Sequence, residues 1–531
     1  MGLNKEQAQA VNSTSDRILC LAPAGSGKTK TMISRISRLV DDGVPAHSIL
    51  VLTFTNAAAA EMKSRFEALH PNEEIPEFRT FHAFCYSLLC QDPTIRSALG
   101  YTNVPNISTD EQAKSIDERA KTQCNITISK EKLEHREHLT REEERQVALY
   151  DKAVNRLMLM ENIITFDMLE SKVANLFIMN HSSTKVYKDK YKYIMGDEFQ
   201  DFNRTQVDFL NSFPNSDFYF TGDTLQNLYS WRGTSNMFIK MLAASDGWEK
   251  IKLFTNYRST NQICEYANKF SSKYADASYW IEMKGTRDGD KVHERYIAPL
   301  KGRTVVGEDS LNNVLKELPN HTGTSAIICR TNREVHAVAA YLKEHNIPFN
   351  SGKSTKYQNL IDCAISDTYA IGWLSSYLTS SKYGEYIRLS AQAKKPDLAW
   401  FLKLYGNTTQ IKDDMQIING LRDIAVNGKL TNIKLRQVTE LLNCNPLPEV
   451  DQFYGGIDFL NYLKGIITTS SSSDLYVGTI HSVKGLEYDT VYVMNVGSYN
   501  FQLDCEDEKN LFYVAITRAK EHLFVYRLFA D

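Results

Sequence analysis

The chain has 531 residues, of which 42% are hydrophobic and 24% charged, an ordinary globular composition that calls for about three to four domains rather than a single core. A formal net charge of −3 does not advertise a polyanionic partner, so any nucleic acid must be met by basic residues gathered along a groove. No run of about 18 apolar residues is present, the polar start MGLNKEQAQAV lacks a signal-peptide core, and Glu6 stands where a myristoylation pattern needs Ser or Thr. Nine scattered cysteines without a C-x-x-C pair indicate neither a zinc site nor a disulfide framework, and suit a reducing compartment.

In chain order, Arg17 to Ala22 reads as a strand, followed by a glycine loop and a helix on which Met32, Ile33, Ile36, Leu39 and Val40 recur at helical spacing. A second apolar run, Ile49 to Phe54, leads into the strong helix former AAAAEMKSRFEAL. Strand and helix alternating at this spacing predict a doubly wound parallel α/β sheet. Residues from about 91 to 164 change character: KEKLEHREHLTREEERQV is charged with few apolar positions, which predicts a solvated helical insertion. Strands return at Tyr193 to Met195 and Phe218 to Phe220, each followed by a polar loop. A second sheet is expected from Ser325 to Cys329, with Val335, Val338 and Leu342 on the following helix. Residues from about 361 to 464 show helical stretches without strand alternation and read as a second insertion. TTSSSSD reads as a flexible linker, after which strands resume at Leu475 to Ile480 and Thr490 to Asn495. The 13 residues after Arg518 leave no room for an appended nuclease.

Chemistry concentrates in the polar loops. In Ala22-Pro23-Ala24-Gly25-Ser26-Gly27-Lys28-Thr29, the glycines let backbone N–H groups curl around phosphate at a helix N-terminus. Lys28 would neutralise β/γ-phosphate charge, and Thr29 would hold Mg²⁺ through its hydroxyl. Ala22 stands where the general pattern has Gly. Asp197 and Glu198 follow an apolar strand and therefore project at the sheet edge where ligands of such sheets bind. One carboxylate would hold Mg²⁺ and the other would position or deprotonate the attacking water. Taken alone, such an acidic pair is more often a helix cap or a solvated edge. Gln226, after the next strand, can reach a γ-phosphate or its water. Trp231 is either a core tryptophan or a stacking platform for a base. Arg258 and Arg518 gain meaning only from the words around them, because most lone arginines are surface charges.

Those words are LNKEQAQAV, APAGSGKT, TFTNAAAAEM, TFHAF, DEFQD, GDTLQNLYSWRG, NYRS, TIHSVKGLEYD and LFYVAITRAK, in one order along almost the whole chain. The set resembles the UvrD/Rep type of superfamily 1 DNA helicases. The resemblance implies two RecA-like parallel-sheet P-loop domains, each interrupted by a mainly helical insertion. Residues 1–90 and 165–250 would form the first motor domain around an insertion at 91–164; 251–360 and 465–531 would form the second around a reduced insertion at 361–464. It implies ATP and Mg²⁺, with Gln7 at the adenine edge, Tyr257 near the base, Lys30 where the family often has an arginine, and Glu487 at the ribose. Lys28, Thr29, Asp197 and Glu198 match the phosphate, magnesium and catalytic-base positions. Gln226, Arg258 and Arg518 match γ-phosphate sensors and arginine fingers. Thr53, Phe54, Asn56, Thr80, His82, Trp231, Thr479 and His481 fall in motifs similar to the family's DNA-contacting loops. His82 and His481 lack the Cys/His partner spacing of a metal site.

The expected function is an ATP-dependent DNA helicase or translocase on single-stranded DNA and its junctions with duplex, running 3′ to 5′ by resemblance. It would be soluble in the cytoplasm of a bacterial or phage-infected cell, with replication or repair proteins as candidate partners. One rival is a translocase that strips proteins from DNA with little strand separation. A silent binding protein would show decay of Lys28, Glu198 or an arginine finger, and none has decayed. A small-molecule kinase would be shorter and lack the second sheet with Glu487 and Arg518.

Overall fold

The structure, a computed structural model, describes residues 2–108, 110–129, 132–133, 136, 139–228, 236–297, 306–351, 360–361, 363–364, 398–405, 409–426, 460 and 473–528. The chain divides into two compact units: Met1–Phe81, Thr184–Lys353 and Ser471–Asp531 form the first, and His82–Ser183 with Ser354–Ser470 the second. The boundaries expected from sequence at 91, 164, 361 and 464 all fall inside this second unit.

The first unit holds two six-stranded sheets in which every recorded pairing is parallel. In the first sheet, β1 (Arg17–Leu21), β2 (Ile49–Thr53), β3 (Glu77–Thr80), β4 (Tyr193–Gly196), β5 (Asp217–Gly222) and β6 (Glu249–Lys252) lie in the order β3-β2-β4-β5-β1-β6. In the second, β7 (His293–Ile297), β8 (Ser325–Cys329), β9 (Asn350–Ser351), β10 (Leu475–Thr479), β11 (Tyr488–Val496) and β12 (Ala519–Leu528) lie in the order β7-β12-β11-β8-β10-β9. All five residues of β2 and of β8 are buried. A parallel sheet covered on both faces requires such unbroken apolar runs, and that is why these strands were readable in sequence. The edge strands β3 and β7 carry mixed or exposed residues and gave no such signal.

The helices that cover the first sheet follow from their caps and stripes. Asn4 caps α1 (Lys5–Asn12) through a reciprocal capping box with Gln7. On α2 (Lys28–Asp41), Met32, Ile33, Ile36 and Leu39 are buried against the sheet, each contributing about 1.5–3 kcal/mol. Arg35 is buried with them and donates to the carbonyls of Ala10, Val11 and Ser13 at 2.9–3.2 Å, so the phosphate-loop helix holds the end of α1. Thr55 caps α3 (Asn56–Leu69) by accepting from the Ala58 N–H. Leu225 and Leu228, just after β5, pack into the core of the second sheet beside Ile263, Val493 and Phe512. That cluster stitches the two halves of the first unit together.

In the second unit, helices Asp110–Gln123 and Arg141–Met160 enclose a small core of Ile116, Ala120, Ala153, Leu157, Met158 and Ile163. The acidic first turn of Arg141–Met160 sits at its N-terminus behind a Thr140/Glu143 capping box, where negative charge is stabilising. Part of the charged run at 130–147 and most of 361–464 lie outside the described residues. No helix among the described residues is long and apolar enough to cross a membrane.

Candidate nucleotide site and nucleic-acid face

Because the strands run parallel, the loops after β1, β2, β4 and β5 emerge at one edge, and a cleft of about 490 Å³ opens there against residues of the second sheet. The loop after β1 turns through Gly25 (φ 71°) and Gly27 (φ 82°), both left-handed, and Gly27 caps α2. The Ser26 hydroxyl donates to the Pro23 carbonyl at 2.7 Å, which holds the turn closed. Such a turn presents successive N–H groups, and the helix dipole behind them, to an anion. Lys28 reaches back to the Ala22 carbonyl at 3.3 Å and stands 3.7 Å from Glu198. Thr29 and Lys30 line the same cleft, and Lys30 Nζ also donates to the Gly2 carbonyl at 3.0 Å. Gln7 is buried: its Oε1 accepts from the Asn4 N–H at 3.2 Å and its Nε2 donates to the Ser26 carbonyl at 3.0 Å. The residue read as an adenine contact therefore braces the phosphate loop here.

Asp197 and Glu198 leave the end of β4, and Glu198 takes a left-handed φ of 52°, a strained conformation for a non-glycine residue of the kind found at functional sites. Burial, and then the neighbouring Glu198 charge, push the Asp197 carboxyl upward. Burial opposes ionisation of Glu198 as well, but Lys28 and Lys484 outweigh it and hold that carboxyl below its ordinary range. Asp197 Oδ1 is buried without a hydrogen-bond partner among the described residues. Gln226 Nε2 donates to Asp223 at 2.7 Å, while its Oε1 accepts from Arg518 at 3.3 Å.

The second sheet's half closes the cleft. The Tyr257 N–H donates to the Gly25 carbonyl at 2.8 Å and Asn256 Nδ2 to the Ala24 carbonyl at 2.9 Å, so the NYR segment sits directly on the phosphate loop. Arg258 pairs with Glu487 at 2.7 Å and donates to the Thr517 carbonyl at 3.1 Å. Lys520 pairs with Glu487 at 3.3 Å as well, so the residue read as a ribose contact is engaged by two cations. Arg518 is buried and bonds the carbonyls of Val514 (3.0 Å) and Leu486 (3.3 Å). Burial, then the neighbouring Arg258, push its pKa down to about 9, which leaves it cationic at neutral pH. The two guanidiniums line one cleft and repel each other, and a polyphosphate between them would relieve that repulsion.

Sequence reasoning assigned nothing to Lys484 and Asp201, although both lie inside quoted motif words. Lys484 forms an ion pair with the fully buried Asp201, donates to the Gln226 carbonyl at 2.9 Å and lies over the Phe54 ring at 5.9 Å. Both residues line the cleft. A lysine and an aspartate 283 positions apart carry no pairing signal in a single sequence.

The residues read as DNA contacts are spread more widely. Thr53 is buried at the end of β2, with its hydroxyl on the Thr55 carbonyl at 3.0 Å. Among the described members of this set, Phe54 alone lines the cleft after β1. Asn56 begins α3 and Thr80 ends β3. Thr479 ends β10 and accepts from the Ser482 N–H at 3.3 Å. His481 opens the short turn that follows, where burial and then Arg330 lower its pKa. His82 belongs to the second unit, 3.0 Å from Glu170 and edge-on to Phe166. Trp231 lies outside the described residues.

The fold and the cleft define a class: a P-loop protein built on two RecA-like parallel sheets. Residues 3–245 match the profile of the UvrD/REP helicase N-terminal domain, and residues 251–359 and 408–528 match that of the UvrD-like helicase C-terminal domain. The chain belongs to the UvrD/REP helicase family. The gap in the second match, between 359 and 408, falls in the stretch read as a reduced insertion. Among curated relatives, the ATP-dependent DNA helicase PcrA of Staphylococcus epidermidis is 26% identical over 618 aligned positions, covering 98% of this chain and 83% of that protein. PcrA of Staphylococcus aureus is 24% identical over 621 positions, with the same coverage.

Proposed function

We propose that the chain is an ATP-dependent DNA helicase that moves 3′ to 5′ on single-stranded DNA and hydrolyses ATP in the cleft between its two sheets. The observation that carries this reading is the contact of the NYR segment with the glycine loop: Tyr257 and Asn256 bond the carbonyls of Gly25 and Ala24. Any change in the loop's occupancy is thereby felt by the second sheet. Family membership and the relatives named PcrA support the activity.

ATP would lie with its phosphates on the Gly25–Gly27 turn and Lys28. Glu198, which the local cations keep ionised, accepts a proton from the attacking water as the bond between γ-phosphorus and bridging oxygen breaks. Lys28, Arg258 and Arg518 meet the charge that spreads over the phosphoryl oxygens, and an arginine in that role is worth about 10³–10⁵ in rate. Asp197 Oδ1, buried with no partner among the described residues, lines the same cleft as Thr29, a pair that suits a hard divalent cation; Mg²⁺ bound by these two residues would supply charge neutralisation at the phosphates. Gln226, bonded to Asp223 on one side and Arg518 on the other, would link the state of the γ-phosphate to the second sheet. DNA would cross the loops at the ends of β2, β3 and β10, with junctions to duplex as the substrate for unwinding.

The test is ATP hydrolysis with and without single-stranded DNA for the wild type and Glu198→Gln, followed by unwinding of duplexes tailed on either side. Stimulation by DNA that the substitution abolishes, with unwinding from 3′ tails, is expected. Hydrolysis indifferent to DNA would restrict the reading to the ATP site, unwinding only from 5′ tails would reverse the direction, and translocation without strand separation would favour a protein-stripping motor.

A further inference from the structure

Arg258 is held by a residue that belongs to none of the motif words. Arg287 lies just after the short strand Lys284–Gly285, which pairs with Thr255–Asn256. Its Nη2 donates to the Arg258 carbonyl at 2.7 Å and to the Lys520 carbonyl at 3.4 Å, and its Nη1 to the Tyr257 carbonyl at 3.4 Å. Its Nε donates to Glu521 at 3.0 Å. One guanidinium therefore spans the backbone of both segments that bring cations to the cleft, Tyr257–Arg258 on one side and the strand that begins after Arg518 on the other. Two further bonds tie the same pair of segments: Ser259 Oγ to the Ala519 carbonyl at 2.6 Å, and Thr260 N–H to the Lys520 carbonyl at 3.1 Å.

We propose that Arg287 is a positioning residue that fixes Arg258 to the Arg518 strand, so that the two guanidiniums reach the nucleotide as one body. This rests on the reading of Arg258 as a γ-phosphate arginine. The need for it is electrostatic. After burial, Arg258 is the largest pressure against the charged form of Arg518; Glu487 and the Thr517 carbonyl hold the Arg258 guanidinium, and Arg287 holds the backbone from which that side chain starts. The ion pair with Glu521 is not the source of the effect, since its side chains are 36% and 41% exposed and such pairs contribute little. What matters is the planar fork, which presents donors to carbonyls and a carboxylate at once; a lysine places one point charge and cannot span them.

The experiment uses the full chain with Arg287→Met, Arg287→Lys, Arg258→Ala and the Arg258→Ala/Arg287→Met double variant, read as DNA-stimulated kcat, KM for ATP and the urea unfolding midpoint. Arg287→Met is expected to lower kcat at least about tenfold, as misplacing a catalytic group by about an ångström does, with KM essentially unchanged. Arg287→Lys, which keeps the charge beside Glu521 and guards against a methionine variant that fails to fold, is expected to stay equally low. In the Arg258→Ala background, Arg287→Met should cost nothing more, because residues that act as a unit are non-additive. Wild-type kcat in Arg287→Met, rescue by lysine, or additive losses in the double variant would each overturn the proposal. If Arg258→Ala itself keeps full kcat, the finger assignment falls and Arg287 falls with it; if only the Arg287 variants are unaffected, the finger assignment stands alone.

Discussion

Gly25 is where the packing of the two halves can be tested with a single methyl group. Its φ of +71° lies in the left-handed region, and a Cβ there would meet Asn256 Oδ1 at 2.5 Å and the Arg258 Cβ at 2.7 Å. An alanine in this conformation costs roughly 1–2 kcal/mol in local strain. The methyl must also push the Asn256–Arg258 segment off the loop, which endangers the bonds from Tyr257 to Gly25 and from Asn256 to Ala24, each worth about 0.5–1.5 kcal/mol. The total comes to about 2–5 kcal/mol. Gly27→Ala is the internal control. It shares the left-handed strain at +82°, but its Cβ would meet the Gln7 side chain, with the amide nitrogen at 2.7 Å, and would displace the Gln7 bond to the Ser26 carbonyl rather than the second half's segment. Urea unfolding of the nucleotide-free protein should therefore rank Gly25→Ala below Gly27→Ala by one such bond, roughly 0.5–1.5 kcal/mol. DNA-stimulated hydrolysis should also fall in Gly25→Ala, since Arg258 follows the displaced segment. Equal unfolding midpoints for the two variants, with hydrolysis of Gly25→Ala intact, would refute the contact between loop and segment.

Other outcomes follow from the same geometry. Glu198→Gln should lower DNA-stimulated kcat by about 10²–10⁴, the range for loss of a general base, while fluorescent-nucleotide binding persists; a smaller loss would move the base elsewhere. Lys484→Ala leaves Asp201, whose side chain is fully buried, without its cation and should destabilise the fold by about 3–5 kcal/mol, seen as a lower urea midpoint. Lys484→Ala with Asp201→Asn together should recover part of that loss, and a double variant no better than the single would contradict it. Burial, then His522, lower the His321 pKa from 6.5, and burial, then Arg295, lower that of His293, in a cluster that also holds Glu317 and Asp290. Below pH 6.5 the unfolded chain binds protons that the folded chain resists, so stability falls with acidity there and is fully present above it. His321→Gln should flatten that slope between pH 5 and 7 (about the imidazole range), and an unchanged slope would exclude His321 as its source.

The sequence by itself determined the two parallel sheets and named many, but not all, of the residues that line the cleft after β1. Unbroken apolar runs such as Ile49–Thr53 and Ser325–Cys329, in alternation with helical patterns, read as strands covered on both faces, and the motif words stand at strand ends because parallel strands deliver their loops to one edge. Edge strands were not legible: Glu77–Thr80 and His293–Ile297 are only partly covered, so no hydrophobic pattern marks them. The tertiary structure alone decided which charges meet. Lys484 with Asp201, Arg258 with Glu487 and Arg287 with Glu521 are separated by more than 200 positions, and ion pairing at such distance leaves no local trace in the chain. It also gave Gln7 a carbonyl of the phosphate loop as its partner. The physical reason is that burial follows from local apolar pattern, whereas pairing of buried charge depends on where the whole fold brings each segment.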